Sequence, residues 1–235
     1  MSGPAIPIVA LDVPTAGDAL AIVRRLGAGC RFYKIGSELF TSEGPSVVRA
    51  VRAAGCDVFL DLKFHDIPNT VRKASRAAAS LGVRLITAHA CGGVEMLRAA
   101  VDGAGAGCGV LAVTVLTSLD GAALGAAWGR DDVLVEQEVL RLAGSAAAAG
   151  AHGIVCSGRE AAAVRGVYGD ALALLIPGIR LAGGEAHDQA RTATPATAAA
   201  AGARYLILGR AVTGASDPAA AMRQVHEELA LSGKA

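Results

Sequence analysis

The decapeptide DLKFHDIPNT, Asp61 to Thr70, places two carboxylates and a lysine within six residues. The run in front of it, CDVFL, is apolar and reads as a buried strand. Asp61 and Lys63 are two apart, and residues two apart on a strand share a face. Two more charges stand where earlier strand-like runs close: Asp12 in VALDV and Lys34 in YKIG. If those strands are parallel neighbours, their ends meet at one mouth. The cluster then alternates in sign as Asp, Lys, Asp, Lys, with Asp66 just beyond. Carboxylates around a lysine favour its cationic form. A cationic lysine is no Schiff-base nucleophile, but it can donate a proton to a developing carbanion.

A second set suits an anion. PGIRLAGGEAHDQ is a Gly-containing loop that carries Arg180 and Gln189, and LGR puts Gly209 beside Arg210. A glycine backbone permits close approach, and arginine suits phosphate oxygens. Thr117 and Ser118 close another strand-like run, GVLAVTVL. Each residue also has a plainer reading. A lone charge past a strand is commonly a solvated loop residue. Asp66 could cap the helix that begins near Pro68. His65 and His89 read as packed or hydrogen-bonded histidines, and Arg210 could pair with the last helix. The Gly-rich GAGAGCG, 103–109, follows a helix and precedes a strand, the reverse of a dinucleotide fingerprint, and reads as a connector.

The elements that must position these groups alternate along the chain. Strand candidates are PIVALDV, RFYKIG, DVFLDLK, RLITAHA, GVLAVTVL, GIVCSG, LALLIPGI and RYLILGR. Ala-rich, helix-length segments lie between them, and most end in glycine, as a C-cap would. Near-continuous apolar strands imply burial on both faces, hence a parallel sheet. Eight such units over residues 1–235 predict one closed (β/α)₈ barrel domain, an α/β TIM barrel, with an open doubly wound sheet as the alternative. Active sites of such barrels lie at the strand C-termini, and phosphate sites in the loops after strands seven and eight.

Composition narrows the partners. The chain is 53% hydrophobic and 18% charged, with a net charge of +1. A large core is expected, and neither disorder nor a polyanionic partner. At 3% aromatic residues, a stacking platform for single-stranded nucleic acid is not expected. No apolar run is long enough for a membrane span, and the N-terminus has no signal-peptide pattern. The five cysteines are scattered without a C-x-x-C pair. Buried free thiols in a reducing, cytoplasmic compartment are expected, and no metal site.

DLKFHDIPNT closely resembles the signature of the orotidine 5′-monophosphate decarboxylase family, in its shorter, bacterial-type form. The likeness continues through VALDV, YKIG, TAHACGG, VLTS, PGIR, HDQ, TPATAAAAGA and LILGR, essentially the whole chain. The resemblance implies a cofactor-free TIM-barrel homodimer that converts orotidine 5′-monophosphate to UMP and CO₂ in pyrimidine biosynthesis. Lys63 matches the family's proton donor to C6, and Lys34, Asp61 and Asp66 match the rest of its charged tetrad. Asp61 would lie near the substrate carboxylate. Asp66, Ile67 and Thr70 would reach the neighbouring subunit's site. Asp12 and Lys34 match ribose contacts, and Thr117 and Ser118 match contacts near the pyrimidine. Arg180, Gln189, Gly209 and Arg210 match the substrate- and phosphate-binding set. Leu181 and His187 depart from the family's frequent Pro and Gly in the loop that carries Gln189. Related Mg²⁺-dependent sugar-phosphate decarboxylases and aldolases share the D-x-K-x-x-D core but add an acid near the end of strand two. Lys34 stands in that region here, and Glu38 is the remaining candidate ligand. A non-catalytic sensor of phosphate ligands is a third reading, against which the intact charge set argues.

Overall fold

A computed structural model describes residues 4–181 and 193–232. Its eight strands are β1 (Ile6–Ala10), β2 (Phe32–Gly36), β3 (Asp57–Phe64), β4 (Leu85–His89), β5 (Gly109–Val113), β6 (Gly153–Val155), β7 (Ala173–Ile176) and β8 (Ala203–Leu208). They pair in parallel in chain order, and β8 returns to β1 to close the barrel. The expected single barrel is therefore present, and the open doubly wound sheet is not. Every strand lies within or one residue beyond its expected run, but several stop earlier. β5 ends at Val113 and β6 at Val155, so Thr117 and Ser118 belong to a loop rather than a strand end. Lys34 is the third of five residues in β2, not its last.

Two apolar layers hold the barrel. The inside is filled by Ile8, Ala10, Phe32, Phe59, Leu85, Leu111, Leu175, Tyr205 and Ile207, all buried. The outer faces of the strands pack on the helices through a larger cluster that includes Val9, Tyr33, Val58, Ile86 and Leu206. Both faces of the strands are thus largely buried below the barrel mouth, which is why the strands read as continuous apolar runs. β6 is short and starts at Gly153, where any side chain would collide with the carbonyl oxygen of Ala173 in β7.

The helices follow the Ala-rich segments. Thr15 caps Ala16–Leu26 by accepting from the Asp18 N–H, and Thr194 with Thr197 forms a capping box on Pro195–Ala200. Three helices have no counterpart among the expected segments: Ser37–Glu43, Gly121–Trp128 and Arg210–Thr213. They are only 7, 8 and 4 residues long, too short for an amphipathic period to show. Gly121–Trp128 is started by Asp120, whose carboxylate accepts from the Ala123 N–H. The segment 129–134 after it is tied down by Arg130, which donates to buried Glu138.

Candidate functional site

The inner barrel layer predicts the site. Counting two residues onward from its members, and from Gly153 at the start of β6, reaches Asp12, Lys34, Asp61, Thr87, Val113, Val155, Pro177 and Gly209. These form the top layer, because alternate residues face inward. The layer is polar on β1–β4 and apolar on β5–β8. All of these but Thr87 line one cavity of about 560 Å³, joined by Lys63, Leu116, Thr117, Arg180 and Arg210.

On the polar side the charges form a chain. Lys34 Nζ donates to Asp12 Oδ1 at 2.8 Å and lies 4.0 Å from Asp61 Oδ2. Lys63 Nζ donates to the same Asp61 oxygen at 2.8 Å. The expected alternation Asp12, Lys34, Asp61, Lys63 is therefore continuous. Asp61 and Lys34 are the sheltered members, at 13% and 12% side-chain exposure, while Lys63 is 38% exposed and Asp12 61%. The Lys34 ammonium fills the space between Asp12 and Asp61 that a divalent ion would need. Gly36 makes room for it: a β-carbon there would stand 3.0 Å from Lys34 Nζ.

Lys63 reaches this chain by a route that strand alternation does not supply. Its φ is +50°, a left-handed conformation that costs a side-chain-bearing residue about 1–2 kcal/mol. The β3–β4 register shifts across it, so a bulge and not the pleat aims its side chain. Asp61 and Lys63 do meet, but shared-face geometry is not the cause.

Asp66 does not cap the following helix. The N-cap of Pro68–Ala79 is Ile67, with no side-chain cap, and Asp66 Oδ1 accepts from the adjacent Ile67 N–H, at 2.6 Å. Asp66, Ile67 and Thr70 are exposed and stand outside their own barrel's cavity, Ile67 being 67% exposed. Ser118 lines a neighbouring cleft with Asp120, Arg159 and Glu160 rather than the main cavity. Arg180, Gly209 and Arg210 lie along the wall formed after β7 and β8, and Arg180 donates to the Ile179 carbonyl. Gln189 and His187 lie outside the described residues.

The histidines keep their plain reading in part. His65 and His89 face each other with ring centroids 5.6 Å apart. Burial lowers the pKa of His89, and the charges of His65 and Lys63 lower it further, against an opposing effect from Asp61. Cys30, Cys56, Cys108 and Cys156 are buried free thiols, while Cys91 is exposed. Burial pushes Cys108 up to about 11 and Cys156 up to about 12, which keeps both protonated and unreactive.

Sequence reading missed Thr87, Gly36 and the apolar half of the mouth. The signal that finds Thr87, Val113 and Val155 is the two-residue step up from Leu85, Leu111 and Gly153.

Fold and cavity together define a (β/α)₈-barrel enzyme with a charge-alternating pocket at its strand C-termini. The sequence matches the model of the orotidine 5′-phosphate decarboxylase / HUMPS family over residues 6–225, and the chain belongs to that family. Among its relatives, the orotidine 5′-phosphate decarboxylase of Anaeromyxobacter sp. (strain K) is 53% identical over 220 residues, 94% of this chain and 96% of that one. The enzyme of the same name from Halorhodospira halophila is 48% identical over 238 residues, 98% of each chain. The crystal structure of orotidine 5′-phosphate decarboxylase from Lactobacillus acidophilus superposes with a TM-score of 0.85 at 36% identity, covering 97% of this chain and 99% of that one. No helix among the described residues is long and apolar enough to cross a membrane.

Proposed function

We propose that this enzyme decarboxylates orotidine 5′-monophosphate to UMP and CO₂ in pyrimidine biosynthesis. The observation that carries the reading is the continuous Asp12–Lys34–Asp61–Lys63 chain in the same cavity that Arg180 and Arg210 line. The C6–carboxyl bond breaks, and its electron pair remains at C6. Lys63 Nζ supplies the proton that pair takes up, and solvent reprotonates the amine. The Lys63 cation also stabilises the carbanion as it forms, in a pocket whose charges are already oriented. Asp61 lies near the departing carboxylate. Asp12 and Lys34 contact the ribose, and Thr117, with Ser118 beside it at the edge of the adjoining cleft, lies on the pyrimidine side. Arg180, Gln189, Gly209 and Arg210 take the substrate and its phosphate. Phosphate binding, remote from the bond that breaks, supplies energy for ordering the site.

The chain acts as a homodimer in this reading, and each subunit lends Asp66, Ile67 and Thr70 to its neighbour. Their exposure outside the chain's own cavity supports this. The buried free thiols suit a reducing cytoplasm. The reaction is assigned to protein groups alone, without a cofactor or a metal. The test is an ultraviolet assay of orotidine 5′-monophosphate turnover with and without EDTA. Turnover insensitive to EDTA is expected, and loss of activity with EDTA would favour the Mg²⁺-dependent sugar-phosphate class. Lys63→Ala should abolish turnover while UMP still binds. Near-normal turnover in that variant overturns the proton-donor assignment.

A further inference from the structure

Thr87 is fully buried, and no charge marks it in the sequence. It sits where the β3–β4 ladder is irregular. Between the pairs Leu60–Ile86 and Phe64–Ala88, β3 advances four residues while β4 advances two. Asp61, Leu62 and Lys63 therefore face Thr87 alone. A bulge of this kind leaves ladder groups without backbone partners. The Thr87 hydroxyl fills that gap with both of its functions. It accepts from the Lys63 N–H at 2.9 Å, and it donates to Asp61 Oδ1 at 2.9 Å. The other oxygen of Asp61 accepts from Lys63 Nζ. The result is a closed ring: Lys63 main chain, Thr87 hydroxyl, Asp61 carboxylate, Lys63 ammonium.

We infer that Thr87 is a positioning residue for the reaction, the group that holds Lys63 in its left-handed conformation and fixes the Asp61 carboxylate against the Lys63 ammonium. A rotating carboxylate would let the ammonium move with it, and a misplacement of about 1 Å is enough to cost about 10²-fold in rate. With its hydroxyl oriented by the Lys63 N–H, Thr87 leaves Asp61 Oδ2 as the oxygen facing the lysines. The inference rests on the decarboxylase reading for its kinetic consequence, but its geometric part does not.

Two substitutions test it. Thr87→Val keeps the shape and removes both hydrogen bonds, whereas Thr87→Ser keeps the hydroxyl and removes a methyl. Removing one partner of a buried hydrogen bond typically corresponds to about 10- to 100-fold in an equilibrium or rate. Thr87→Val should lower kcat by about that factor, while KM and UMP affinity stay within about threefold. Thr87→Ser should restore kcat to within about threefold of wild type. Amide hydrogen exchange reads the geometry without turnover: the Lys63 N–H should lose protection in Thr87→Val and keep it in Thr87→Ser. If Thr87→Val does not fold, Thr87→Ala is put to the same measurements. Unchanged kcat and unchanged Lys63 protection in the hydroxyl-free variant overturn the inference. So does an equal kcat loss in the serine and hydroxyl-free variants, which would mark Thr87 as packing only. A wild-type enzyme inactive on orotidine 5′-monophosphate would instead sink the functional reading and leave the exchange result standing.

Discussion

Asp61→Asn separates two roles that one carboxylate can play. In the first, Asp61 repels the substrate carboxylate and strains the bound state. In the second, it holds the lysines where the carbanion forms. Two unit charges about 4 Å apart repel by about 4 kcal/mol at an effective dielectric of 20. That is about three decades in rate, against the roughly 8–23 kcal/mol that enzymes supply. The attractions are larger. At 2.8 Å the Lys63 ammonium gains about 6 kcal/mol on the same scale, and at 4.0 Å Lys34 gains about 4 kcal/mol. Solvent lowers the Lys63 figure, because its side chain is 38% exposed. Even so, removing the charge loses more attraction to the lysines than it relieves in repulsion.

Asparagine keeps the shape and an acceptor oxygen, so the expected loss begins at the roughly 1.5–3 kcal/mol of a charge-assisted hydrogen bond. Asp61→Asn should therefore lower kcat by at least about 10-fold, with UMP affinity within a few-fold of wild type. Steady-state kinetics by ultraviolet absorbance, with UMP inhibition measured in parallel, provides both numbers. If the repulsive role dominated, substrate would bind up to about three decades more tightly in the variant while UMP did not, since UMP lacks the carboxylate. That tightening, or a kcat within about threefold of wild type, would refute the argument.

The proposed sharing of sites between two subunits makes a subunit-mixing prediction. Hybrids of Asp66→Asn and Lys63→Ala subunits contain one site with both wild-type residues, so activity should return to part of the wild-type value from two nearly inactive parents. Absence of recovery in verified heterodimers would contradict the sharing of Asp66. Acid stability offers a prediction away from the site. Hydrogen bonds from Arg141, then from Arg130, hold the pKa of Glu138 below its ordinary value of 4.5 despite burial. A depressed carboxylate stabilises the fold above its unfolded pKa, and that contribution is lost as pH falls through the folded value. Glu138→Gln should cost about 2 kcal/mol at pH 7. This is below the roughly 3–5 kcal/mol for breaking a fully buried pair, because both guanidiniums are about half exposed. The deficit should shrink as pH falls below 4.5, and chemical denaturation at pH 7, 5 and 3.5 measures it. A constant deficit across that range would show that the charge is not its source.

Much of this site was legible in the chain because strand periodicity is local. Apolar runs with glycine-terminated helices between them place eight strands, and a two-residue step places Asp12, Lys34 and Asp61 above Ala10, Phe32 and Phe59. Lys34 was legible as a pocket residue even though it lies inside β2, since the face a side chain takes does not depend on where the strand stops. The position of Arg180 and Arg210, just past β7 and β8 on the wall proposed to bind the phosphate, followed from the same logic. Residue type and spacing alone thus determined the barrel and the sign pattern at its mouth.

The tertiary structure decided what depends on pairing between strands. The left-handed turn at Lys63 exists because β3 carries extra residues against β4, and a register mismatch is a property of two strands together. Thr87 became visible only there, since a neutral hydroxyl in an apolar run looks like ordinary β-propensity until its partners are known. Asp66 beside Pro68 fits a cap by local rules, yet the chain puts Ile67 at that position and leaves the carboxylate exposed. Local sequence can say which face a residue takes. Which groups meet across that face is set by long-range register, and the Lys63–Thr87–Asp61 ring is where the two part.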